Sequence, residues 1–242
     1  MDFEIIRGNI ATVSADAIVL PANSKLEEGN GASKAIFEAA GRRKLTKACK
    51  EIGCCDVGNA VPTLAFDLQA KYIIHAVVPK WVDGEHNEYE MLCAAYLTAL
   101  NLADQMKCKS IAFPLLSSGN NGFDLELAFE IARESFLNFA PGNLEKIILV
   151  VYGYQITTLI KQKGFNVIEV PANVQELVKQ ADRHQEAKAI KKDGKDVAKV
   201  GLNAVMKMGL AWLNKEENWE KIIETAGTVF KLAKAAKKTA GK

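Results

Sequence analysis

Six runs of aliphatic and β-branched residues punctuate the first two thirds of the chain, at 3–6, 17–20, 72–78, 111–116, 147–152 and 165–170. Most show no strict alternation with polar residues. A strand with one wet face alternates, whereas a run that is apolar throughout is covered on both faces, as in a mainly parallel sheet. Between the runs lie stretches with helical spacing, at 33–41, 44–51, 88–107, 125–139 and 155–163. In 88–107, for example, Leu92, Ala95, Ala99, Leu102 and Met106 recur three or four residues apart. Strand and helix alternate as far as Pro171. The pattern predicts an α/β fold, a three-layer α/β/α sandwich around a mixed, mainly parallel sheet.

After Pro171 the pattern changes. Asn173 with Glu176 three residues on has the form of a capping box, and 172–242 is helical in pattern with no further strand signal. Breaks fall at Asp193-Gly194 and around 214–218. Val197, Val200, Leu202, Val205, Met208 and Trp212 form one apolar series; Trp219, Ile222, Ile223, Ala226, Val229, Phe230 and Ala233 form another. The predicted organisation is a domain over 1–171 and a helical C-terminal extension over 172–242. Plain packing is the simplest use of two such helices; self-association, a protein partner or a membrane surface are the others.

A formal net charge of +2 gives no reason to expect nucleic acid. The charge is uneven: from Ala181 onward there are 14 Lys+Arg against 8 Asp+Glu, and before it 17 against 21. Five cysteines, Cys49, Cys54, Cys55, Cys93 and Cys108, contain no CxxC pair and no secretory leader precedes them. A reducing, cytoplasmic setting with idle thiols is expected. The three histidines have no metal-ligand spacing relative to these cysteines, so no metal and no cofactor are expected. No apolar run reaches the length of a membrane span.

Two polar, glycine-rich loops carry the chemistry. One covers 21–34 (Pro-Ala-Asn-Ser-Lys-Leu-Glu-Glu-Gly-Asn-Gly-Ala-Ser-Lys); the other is Ser117-Ser118-Gly119-Asn120-Asn121-Gly122-Phe123. Each follows an apolar run and leads into helical sequence. Glycines where strand becomes helix free backbone N–H groups to face an anion beside the positive end of a helix dipole. Two such loops could clamp a diphosphate beyond the carboxyl ends of the strands. Neither is a P-loop: Lys34 is followed by Ala35, and the GxxxxGK[ST] spacing is missing. The third glycine of a dinucleotide fingerprint is missing too.

Taken together the motifs resemble the macro domain family, whose members bind ADP-ribose. The resemblance spans about residues 3 to 170. It includes Gly8-Asn9-Ile10, Asp16-Ala17-Ile18-Val19-Leu20-Pro21-Ala22-Asn23-Ser24, Gly29-Asn30-Gly31-Ala32-Ser33-Lys34-Ala35-Ile36, Ala39-Ala40-Gly41, Gly58-x-Ala60, His75-Ala76-Val77-Val78-Pro79-Lys80-Trp81, and Ile111-Ala112-Phe113-Pro114 with Ser117-Ser118-Gly119-x-x-Gly122. Val78 replaces the family's usual glycine.

This resemblance implies roles for particular residues. Asn9, beside Ile10, stands where the family usually has an aspartate that accepts from the adenine amino group. An asparagine offers an uncharged acceptor there. Tyr152 stands where an aromatic ring stacks on adenine; the plain alternative is a strand-end tyrosine in the core. Gly29, Asn30, Gly31, Ala32 and Ser33 would wrap the distal ribose and a phosphate. Ser117, Ser118, Gly119, Asn120, Asn121 and Gly122 would meet the diphosphate from the other side, with Phe123 beneath the ribose. Asn23 would be catalytic, holding the distal ribose hydroxyls; the plain alternative is an asparagine closing its own turn. Ser33 occupies a position where some hydrolases of the family carry an aspartate, and serine cannot act as a carboxylate base. His75, within an apolar strand, reads as a core histidine. Lys34 reads as solvated, and Trp81, Asp83 and Gly84 begin a loop beside the cleft.

The implied partner is ADP-ribose or an ADP-ribosylated protein. The implied activity is removal of mono-ADP-ribose from protein side chains. A non-catalytic reader and an O-acetyl-ADP-ribose deacetylase are the alternatives, together with a nucleotide sensor governing the helical extension.

Overall fold

A computed structural model describes residues 3–169. The C-terminal extension that the sequence predicts to be helical, with Asn173 and both of its apolar series, lies outside the described residues, as does Val170. Seven strands form one sheet: β1 (Phe3–Arg7), β2 (Ala17–Ala22), β3 (Ala60–Leu64), β4 (Tyr72–Val77), β5 (Ser110–Pro114), β6 (Lys146–Val151) and β7 (Ile168–Glu169). Their spatial order is β3-β4-β2-β5-β6-β1-β7. Only β3 runs antiparallel to its neighbour, with Val61 opposite His75 and Thr63 opposite Ile73. Every other pairing is parallel.

The continuous apolar runs have the expected cause. Along β2, Ala17 and Val19 enter one core while Ile18 and Leu20 enter the other. In β6, Ile147, Leu149 and Val151 face the first core, and Ile148 and Val150 the second. Helices α1 (Ala32–Ala40) and α2 (Arg42–Ile52) cover one face. The helices α3 (Glu88–Gln105), α4 (Leu125–Leu137) and α5 (Tyr154–Gln162) cover the other. The three layers are those predicted. Each large aliphatic side chain taken fully out of water contributes about 1.5–3 kcal/mol, so two apolar cores hold the sheet between its helices.

Three differences from the predicted elements have physical reasons. Strand β3 has no counterpart among the six runs, because Pro62 and Thr63 interrupt its apolar character; an edge strand tolerates a proline that a central strand would not. The run at 111–116 ends as a strand at Pro114, where the chain turns into the second glycine loop. The last strand begins only at Ile168, where pairing with Ile6 and Arg7 starts, and its described residues, Ile168 and Glu169, are exposed.

His75 is a core residue, as its setting predicts. Its ring is fully buried, with Nε2 2.9 Å from Thr63 Oγ1 and Nδ1 4.0 Å from Cys49 Sγ. Burial lowers its pKa to about 3, so the imidazole is neutral at ordinary pH. All five cysteines are free thiols; Cys54 is exposed and the rest are buried. Among the described residues, no helix is long and apolar enough to cross a membrane.

Candidate functional site

At the carboxyl ends of the parallel strands lies a cavity of about 320 Å³. It is lined by Gly8, Asn9 and Ile10 after β1, by Gly31, Ala32 and Ala35 at the start of α1, and by Pro114, Val150 and Tyr152. The parallel topology brings these segments together, since β1, β5 and β6 are adjacent and end on the same side.

The start of α1 forms part of this lining. Gly31 is its N-cap, at φ 58° and ψ −124°, with no side chain capping the helix. The first-turn N–H groups therefore lack an intrahelical partner and sit beside the positive end of the dipole. Tyr152 also lines the cavity and is 85 % exposed, so it is not a core tyrosine.

Asn9 lines the cavity as well. It caps a short 3-10 turn (Ile10–Thr12), its Oδ1 accepting from Ala11 N at 3.1 Å. Ile10 is buried against the same face of the sheet as α1.

The first glycine loop is fastened by its own polar atoms. Asn23 Oδ1 accepts from Lys25 N at 3.0 Å and Glu27 N at 3.1 Å, while its Nδ2 donates to Glu27 O at 3.0 Å. Both acceptor sites of the amide oxygen are thus used, and one Nδ2–H is left for a ligand. Asn23 is exposed and is not among the cavity-lining residues. Ser33 is buried, its Oγ accepting from Gly29 N at 3.0 Å. It acts as a brace of the loop. Glu28 is joined to Arg42 by a two-pronged ion pair at 2.6 and 2.9 Å, and Arg42 also reaches Glu38 at 3.0 Å. The Arg42 guanidinium holds the Glu28 carboxyl below its usual range. Asn30 and Lys34 are exposed.

The second loop is fastened by its neighbours. Ser117 Oγ donates to Pro79 O at 2.9 Å, and Trp81 N donates to Asn121 O at 2.7 Å. Ser118 Oγ donates to Leu115 O at 2.8 Å, and Gly122 N to Gly119 O at 3.0 Å. Ser117 itself has φ 59°, a left-handed backbone that a non-glycine residue adopts at a cost. Phe123 is buried and packs edge-on to Trp81 at 5.2 Å, and Trp81 in turn meets Tyr89 at 5.4 Å. Phe123 therefore anchors the loop from below. Beneath the loop, Leu116 N donates to the hydroxyl of the fully buried Tyr96 at 2.9 Å.

Sequence reasoning did not single out Glu88. Its buried carboxylate accepts from Val82, Asp83, Gly84 and His86 N–H groups at 2.7 to 3.2 Å, fixing the loop that carries Trp81. Burial would raise its pKa, but these backbone bonds outweigh it and hold the group at about 2. A glutamate at the first position of a helix reads only as a favourable first-turn charge, so nothing in the pattern marked it. Gly8, Ala35 and Pro114 were legible as parts of motifs, and Val150 only as part of an unbroken apolar run.

The Macro domain profile matches residues 19–132. An O-acetyl-ADP-ribose deacetylase of Escherichia fergusonii is 42 % identical over 154 residues, covering 61 % of this chain and 86 % of that one. The Oceanobacillus iheyensis macrodomain with ADP superimposes with a TM-score of 0.62 at 30 % identity, over 66 % of this chain and 87 % of that one. The Trypanosoma brucei macrodomain in complex with ADP-ribose gives a TM-score of 0.60 at 27 % identity, over 66 % and 68 %. The chain belongs to the macro domain family.

Proposed function

We propose that this protein binds ADP-ribose in the cavity at the carboxyl ends of its strands and hydrolyses the bond that joins ADP-ribose to modified protein side chains. The observation that carries this reading is the pairing, in the lining of one cavity, of an uncapped helix start with an exposed tyrosine ring. The first suits a phosphate and the second a planar base. The second glycine loop follows β5, whose Pro114 lines the cavity, and would meet the diphosphate from that side.

Tyr152 is the only titratable side chain among the cavity-lining residues, so the chemistry falls to placement and to the ligand's own phosphates. Water attacks the ribose C1, the bond to the side-chain oxygen breaks, and the water's proton passes through the diphosphate to the leaving group. Asn23 steadies the distal ribose with the Nδ2–H its loop leaves over. A second reading, hydrolysis of O-acetyl-ADP-ribose to acetate and ADP-ribose, is favoured by the Escherichia fergusonii relative bearing that name.

Calorimetry with ADP-ribose, ATP and NAD tests binding; selective binding of ADP-ribose is expected. Incubation with a glutamate-linked mono-ADP-ribosylated protein and with O-acetyl-ADP-ribose then separates the two activities. Binding without release of either product would leave a reader.

A further inference from the structure

The cavity lining at Asn9 departs from what an aspartate there would provide. Ala11 N–H can be met only by an acceptor, so Asn9 must turn its Oδ1 toward Ala11, as the 3.1 Å contact has it. The other end of the same amide is Nδ2. No hydrogen bond among the described residues uses it, and Asn9 lines the cavity beside Ile10 and Tyr152. A carboxylate making the same cap would leave an acceptor in that place. Asn9 leaves a donor.

Building on the ADP-ribose reading, we infer that Asn9 reads the purine with a donor, so that this site takes a 6-oxopurine diphosphate ribose at least as well as the adenine compound. A 6-oxopurine presents a carbonyl oxygen at its edge, which accepts from Nδ2. Adenine presents an amino group there. It can meet the donor only at ring N1, leaving its amino group beside Asn9 without the acceptor a carboxylate supplies. Discrimination of this kind rests on the unpaired polar group left by the wrong base. The stacking ring of Tyr152 treats both purines alike, so it does not oppose the preference.

The test is calorimetric titration of the full-length protein with ADP-ribose and with inosine diphosphate ribose, repeated on Asn9→Asp. The variant is isosteric, and a carboxylate oxygen can accept from Ala11 N–H, so thermal unfolding should show the cap retained. The wild type is expected to bind the hypoxanthine compound at least as tightly as ADP-ribose. Asn9→Asp is expected to swing the ratio by about tenfold toward adenine. A wild-type preference for ADP-ribose overturns the inference, as does an Asn9→Asp ratio equal to that of the wild type; the binding reading survives either result. If neither compound binds, both fall.

Discussion

The two glycine loops follow neighbouring strands, β2 and β5, but are held by different forces. The loop at 23–31 is tied by an asparagine, a serine and a glutamate–arginine fork, nearly all of it polar and much of it exposed. The loop at 115–123 is nailed from beneath by Phe123, Trp81 and Tyr89 and laterally by the segment after β4. Polar ties set a backbone's shape with direction but weaken in salt; aromatic packing resists salt and is lost through cavities. One loop is therefore shaped by hydrogen bonds and the other by volume.

The largest effect should come from Phe123→Ala, which empties a buried site beneath the second loop. A loss of about 3–5 kcal/mol is expected in urea unfolding, with the m-value unchanged. On the first loop, Gly31→Ala forces a side chain onto a backbone at φ 58° and should cost on the order of 1–3 kcal/mol, while weakening ADP-ribose binding more than Phe123→Ala weakens it per unit of stability lost. Equal ratios would erase the distinction between the loops.

Glu88→Gln sharpens the comparison through pH. The depressed pKa means that the carboxylate's contribution is fully present above the ordinary glutamate range and is lost as pH falls from about 4.5 through about 2. The glutamine variant should cost about 2 kcal/mol near neutrality, the value of a hydrogen bond to a charged group, and that difference should fade in acid. Ser33→Ala strands the Gly29 N–H and should cost about 1 kcal/mol in thermal unfolding. Least of all, Arg42→Ala should lower ADP-ribose affinity slightly in about 0.1 M salt and not at all in about 1 M; a salt-independent loss would mean that the fork acts by packing.

How much of this could be read in advance follows from where the information lay. Strands β2, β4, β5 and β6 were plain because burial on both faces writes itself as an unbroken apolar run. Strand β3 was not, since an edge strand carrying Pro62 needs only the neighbouring β4 to exist. The cavity lining was legible mainly through motifs, yet what the side chains do there was not. The closure of Asn23 onto Lys25 and Glu27, and that of Ser33 onto Gly29, depend on a loop path that no spacing encodes. His75 was read correctly because an apolar strand leaves a histidine little choice; its partner Thr63 sits on the strand that went unseen.

One border of the sheet has a bearing on crowding. There, Pro62 interrupts the ladder with a nitrogen that carries no hydrogen. That flank is therefore a poor template for a stranger's strand, a safeguard against amyloid-like stacking at high concentration.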